Sequence, residues 1–183
     1  MTPRCVFAVL ESTAAAHPEQ AALHQPLGGG KYRTWTWREY RETVEQIAVG
    51  LRAMGVVKGE IVALQSETRA EFYLADLGIM SAGAISAALY TSLPHADQAR
   101  TLAASDARVV FVETPKARKA LETAAAALEK PLEVRWILLT CEAPDAMTFE
   151  QLRQSAPSAC GRTRRLSKRY ARKWTRSIPR CCT

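Results

Sequence analysis

Along the first 155 residues the hydrophobic pattern switches repeatedly between a period near 3.6 and a period near 2, and that switching predicts most of the elements. Residues 5–16 read as an amphipathic helix ended by His17-Pro18. Residues 20–25 and 32–37 read as the two strands of a hairpin turned by Gly28-Gly29-Gly30. Residues 37–54 give the clearest helix: Tyr40, Val44, Ile47, Ala48, Leu51 and Met54 share one face, and Arg38, Arg41, Glu42 and Glu45 the other. Thr36 and Glu39 stand at capping-box spacing, and Gly55 follows the last apolar position. A buried strand over 61–65 leads to an almost wholly apolar helix over 69–82, with Thr68 and Glu71 predicted as a second capping box. Strands are predicted at 85–90, 108–112 and 134–139. Between them lie a helix from Pro94 to about Ala104 and one opened by Thr114-Pro115 and closed by Pro131. In the latter, Ala117, Leu121, Ala124, Ala125 and Leu128 share a face. Thr148 and Gln151 cap a last short helix stopped before Pro157, beyond which the periodicity fades. Strands alternating with helices at this spacing predict an α/β layer: a largely parallel sheet with flanking helices.

Composition changes the picture in one place. The chain has 183 residues and a formal charge of +7, a length that fits one domain or one plus an appendage. The last 23 residues, 161–183, hold nine Lys/Arg and no acid, whereas residues 1–160 hold 16 bases against 18 acids, a net charge of −2. The basicity is therefore a property of the tail and not of the body. No run of 18 apolar residues exists, so no spanning helix is expected. The first residues are interrupted too early, at Glu11, for a secretory signal. The expected location is cytoplasmic, with room for peripheral contact with a membrane.

Candidate chemistry is sparse. Leu27-Gly-Gly-Gly-Lys31 lacks the second glycine frame and the Ser/Thr of a phosphate loop, and it joins two strands, so it reads as a turn. His17, His24 and His95 have no Cys or Ser partner at a recognisable spacing. Glu39, Glu42 and Glu45, set beside Arg38 and Arg41, read as an ion-paired helix face. Cys5, Cys141, Cys160, Cys181 and Cys182 form no zinc pattern. No residue is assigned a catalytic, cofactor-binding or metal-binding role.

Four stretches, in order, resemble the N-terminal part of AMP-forming acyl-CoA synthetases, nearest to long-chain fatty-acid–CoA ligases of the adenylate-forming superfamily. TWTWREY at 34–40 is similar to the family's strand-to-helix passage. LRAMGVVKGEIVAL at 51–64 resembles its Gly-Val-x-x-Gly-Asp-x-Val-Ala segment, with Glu60 in place of Asp. GIMSAGAISAALYTSLP at 78–94 resembles its Ala-Gly-Ala-x-x-x-Pro-Leu-Tyr stretch, with Ala88 where Pro is usual. SDARVVFVET at 105–114 is similar to the strand that follows. The resemblance covers about 5–155 and implies a partial N-terminal subdomain of the synthetase fold. It also implies a parent reaction in which fatty acid, ATP and CoA give acyl-CoA, AMP and pyrophosphate, assisted by Mg²⁺. The family's phosphate loop, adenine-site motif, ribose-binding Asp and C-terminal lysine have no matching position, so no catalytic residue is carried over and the chain alone is expected to be inactive.

The resemblance divides the chain into an incomplete AMP-binding-enzyme domain over 1–157 and a basic tail over 158–183, expected to be disordered or out of frame. GC-rich codons for Lys168–Cys182, read two bases out of phase, give a run resembling the family's approach to its glycine-rich loop. The alternative is a non-catalytic scaffold whose tail binds nucleic acid or anionic membrane, with Tyr170 and Trp174 interleaved among the bases. Self-association through core surface left exposed is a further expectation.

Overall fold

The computed structural model describes residues 5–129 and 132–155. Helix α1 (Val6–Ala16) precedes an antiparallel hairpin of β1 (Ala21–Gly28) and β2 (Lys31–Thr36). Gly28, Gly29 and Gly30 have φ of 85°, 57° and 72°, a left-handed run that only glycine adopts without strain. Helix α2 (Trp37–Ala53) follows directly. Its capping box is formed: the Glu39 amide donates to Thr36 Oγ1 (3.2 Å) and the Thr36 amide to Glu39 Oε2 (2.8 Å).

Then come β3 (Ile61–Gln65), α3 (Ala70–Ser81), β4 (Ile85–Ala88), α4 (His95–Ala104), β5 (Val109–Val112), α5 (Pro115–Ala125), β6 (Arg135–Leu138), β7 (Met147–Thr148) and α6 (Phe149–Gln154). Strands β3 to β7 form one parallel sheet in the order β4-β3-β5-β6-β7. Alternate residues feed two cores. Val62, Leu64, Val109, Phe111 and Ile137 pack with residues of α1, α2, α3 and α6. Ala63, Val110, Val112, Trp136 and Leu138 pack with Leu102 of α4 and Leu121 of α5. The near-continuous apolar runs of β3 and β5 follow from this burial on both faces.

The structure departs from the predicted elements at four points. Thr68 and Glu71 form no capping box: Arg69 is the N-cap of α3 and makes no side-chain cap, and the Ala70 amide donates to Gln25 Oε1 of β1 (2.8 Å). The hairpin thus satisfies a helix terminus 45 residues away. Strand β4 stops at Ala88, where its ladder with β3 ends, and Tyr90 lies outside it. Helix α5 stops at Ala125, well before Pro131, and buries Arg118 on the face predicted to be apolar. The two-residue β7 is too short to produce a period and is legible only from its pairing with β6.

Candidate functional site

In doubly wound sheets the reversal of strand order opens a crevice at the carboxyl ends of the strands, where ligands bind. Here the reversal lies between β3 and β5, because the chain runs from β3 outward to β4 and then back across to β5. The β3–α3 connection begins at Ser66, and β5 ends beside Glu113.

Glu113 organises this crevice. One carboxylate oxygen accepts from Ser66 Oγ (3.1 Å) and from the Glu67 amide (2.8 Å), and the other from Arg69 Nη1 (3.3 Å). Its backbone extends the ladder: its amide donates to Gln65 O (2.9 Å), while Thr140 donates to Glu113 O from both its amide (3.0 Å) and its hydroxyl (2.6 Å). Arg69 also gives its Nε to Glu71 Oε2 (2.8 Å). Burial works against the Arg69 charge, but the hydrogen bonds and charges of Glu71 and Glu113 outweigh it and raise the guanidinium pKa above its ordinary value. The carboxamide of Gln65, at the end of β3, is buried with Oε1 unpartnered.

A cleft of about 290 Å³ lies between the hairpin, the start of α3 and α6. Trp35, Leu74, Leu138 and Phe149 supply its apolar lining; Arg33, Glu71, Glu150 and Arg153 supply its charge. Arg33 lies over the Trp35 ring, 4.2 Å from its centroid. Arg153 is held by Gln46 Oε1 (2.8 Å) and Glu150 Oε2 (2.9 Å). Cys141, an exposed free thiol, borders the cleft with φ of 59°.

The structure separates the histidines. His17 is the C-cap of α1, His24 Nδ1 lies 2.9 Å from Thr34 Oγ1 across the hairpin, and His95 opens α4. Of the acidic run on α2, Glu39 is spent in the capping box and Glu45 pairs with Arg41 (3.0 Å), while Arg38 pairs with Glu19. Burial raises the Glu45 pKa, against the lowering effect of Arg41. Cys160, Cys181, Cys182 and the whole basic tail lie outside the described residues. Sequence reasoning missed Glu113 and Gln25, whose long-range partners are 44 to 47 residues away with no local spacing to betray them, and Arg118, which has a local partner in Glu122 at i+4 but reaches Asp145 27 residues away.

The sequence matches the family model of AMP-binding enzymes over residues 10–169. The chain belongs to the AMP-binding enzyme family. The match runs past 155, where the motif resemblance stops, and into the first part of the basic tail. Among similar proteins, the uncharacterized protein Rv1549 of Mycobacterium tuberculosis is 37% identical over 92 residues, half of this chain and 51% of its own length. The long-chain-fatty-acid–CoA ligase FadD15 of Mycobacterium bovis is 33% identical over 93 residues, 50% of this chain but 15% of that protein. Among solved structures, a long-chain-fatty-acid CoA ligase, described as putative, from Rhodopseudomonas palustris shares the fold with a TM-score of 0.71 at 22% identity, over 86% of this chain and 37% of its own. The chain spans about half the length of the first curated relatives it matches.

The described part of this chain does not fit a nucleoside triphosphate at the strand-order reversal. Phosphate sites in α/β folds use free backbone amides at a helix N-terminus, commonly after glycines. Here the connection is Gln65-Ser66-Glu67-Thr68-Arg69, without glycine. Its Glu67 amide is taken by Glu113, and the first amide of α3 by Gln25. The chain's own carboxylates already hold the local cation, Arg69. Among the described residues no group of three His, Cys, Asp or Glu is placed to hold a metal ion. Nor is any helix among them long and apolar enough to cross a membrane.

Proposed function

We propose that this chain is the N-terminal part of a long-chain fatty-acid–CoA ligase and is inactive by itself. The parent reaction joins fatty acid and ATP to acyl-adenylate with loss of pyrophosphate, and CoA then takes the acyl group. The family match over 10–169 carries the reading. The similarity to FadD15 supports the fatty-acid class. Inactivity is argued from the crevice: adenylation needs preorganised donors and positive charge around the phosphates, and the donors present are already satisfied by carboxylate and carboxamide.

The test is acyl-CoA formation by the purified chain with ATP, Mg²⁺, palmitate and CoA. The expected result is no turnover above a mock purification from the same host. Turnover that follows the protein through purification overturns the inactivity. The basic tail over 158–183 is proposed to be read out of frame, and the family match, which extends to 169, covers its first residues. The nucleotide sequence tests this: another frame should continue into a glycine-rich loop, and its absence rejects the proposal.

A further inference from the structure

Strand β4 is an outer strand of the sheet among the described residues, bonded to β3 alone. The Ile85 amide donates to Glu60 O (2.8 Å) and the Leu89 amide to Leu64 O (2.9 Å). Parallel ladders alternate, so the amides and carbonyls of Ser86 and Ala88 point away from β3. Soluble proteins protect such an edge with charge, proline or a bulge. This edge carries none of these: residues 77–94 contain no Asp, Glu, Lys or Arg, and the strand reads Ile-Ser-Ala-Ala. Exposed apolar side chains stand at both ends, Ile85 (53% exposed) and Val57 (61%) at one, Tyr90 (77%) and Leu93 (43%) at the other.

We propose that this edge is the interface with a second copy of the chain. The two β4 strands pair antiparallel about a two-fold axis at Ala87 and join two five-stranded sheets into one of ten strands. The arrangement is self-complementary. Ser86 and Ala88 of each copy exchange hydrogen bonds with Ala88 and Ser86 of the other, which uses every outward backbone group of the strand. The two Ala87 residues face each other as a non-hydrogen-bonded pair, where Cα atoms approach to about 4.5 Å and a small side chain suits the gap. Tyr90 of one copy lies beside Ala84 and Ile85 of the other, so the apolar ends cover each other. The pairing takes Val57, Ile85, Tyr90 and Leu93 of each copy, all at least 43% exposed, out of water together with the edge backbone. With no charge between residues 77 and 94 of either copy, the paired strands themselves meet no like-charge repulsion.

Sedimentation of the full chain over a concentration series tests the proposal. The wild type is expected to reach a dimer end-point at micromolar concentration. Tyr90→Lys and Ile85→Lys, both exposed and both checked for folding by circular dichroism, are expected to weaken association at least about tenfold. Register is read separately by mild oxidation, with the wild type as control for native cysteines. Ala87→Cys is expected to cross-link efficiently, and Ser86→Cys is not, because its own counterpart lies diagonally across the pair. A monomeric wild type overturns the proposal and leaves the edge to a different protein partner. So do open-ended polymers, or cross-linking at position 86 equal to that at 87. If the lysine variants fail to fold, the cross-linking pair decides alone.

Discussion

Tyr40 lies on the buried face of α2, toward α3, and its phenol pKa is pushed up to about 12 by burial first, then by the charges of Asp76 and Tyr73. The unfolded chain ionises this phenol near pH 10. A raised folded pKa therefore contributes stability that is whole below pH 10 and is lost as the pH rises toward 12. Tyr40→Phe should behave like wild type at pH 7 and lose on the order of 1–2 kcal/mol less between pH 10 and 12. Denaturant melts of the pair at four alkaline pH values check this. At this scale the sequence was legible where partners are three or four residues apart. The boxes Thr36–Glu39 and Thr148–Gln151 both form as spaced. Thr68–Glu71 has the same spacing and fails, because Arg69 draws Glu71 to itself and Gln25 reaches the helix first. Spacing reports what a local pair can do and is silent about a competitor from another strand.

Helix α2 meets its neighbours through glycines. A Cβ at Gly78 of α3 would fall 2.4 Å from Ile47 Cγ2 and 2.7 Å from Ile47 Cβ, and one at Gly50 would fall 2.5 Å from the backbone oxygen of Leu152. Neither neighbour is the free end of a flexible chain, so backbones must part. Gly78→Ala should cost about 1–3 kcal/mol despite its better helix propensity, and lower the thermal midpoint by roughly 3–10 °C. Differential scanning calorimetry checks the sign, which is opposite to that for an exposed helical glycine. The apolar stripe of α2 named its buried face correctly, but nothing in the period showed that Gly50 and Gly78 set the interhelical distances. The α5 face misread in the same way. A buried Arg118 fits there because its guanidinium reaches Asp145 and Glu122 (2.8 Å to the latter) and lies against Trp136. Asp145 holds the Arg118 pKa up, and Arg118 holds that of Asp145 down.

At the scale of the molecule, alternation of strand and helix was enough to place a parallel sheet between two helix layers, and the fold matches that expectation. Strand order was not legible, because periodicity carries no information about which strands are neighbours. The order β4-β3-β5-β6-β7 puts β3 and β5 inside, where every residue from Val62 to Leu64 and from Val109 to Val112 is buried. Hydrogen exchange should rank the amides accordingly. Those of β3 and β5 are expected to exchange only on global opening, those of β1 and β2 near the glycine turn through local opening, and those of β4 between the two. Equal protection in the hairpin and in β5 would contradict this ranking.

Glu113 has a consequence for anything anionic that approaches the carboxyl end of the sheet. A side chain tethered by its own backbone and held by Ser66, Glu67 and Arg69 acts at an effective concentration that no dissolved metabolite reaches. An incoming phosphate or carboxylate gains the contacts of Ser66, Glu67 and Arg69 only by displacing the Glu113 carboxylate. At the sheet end that commonly captures ligands, the available donors here are taken by a carboxylate of the chain itself.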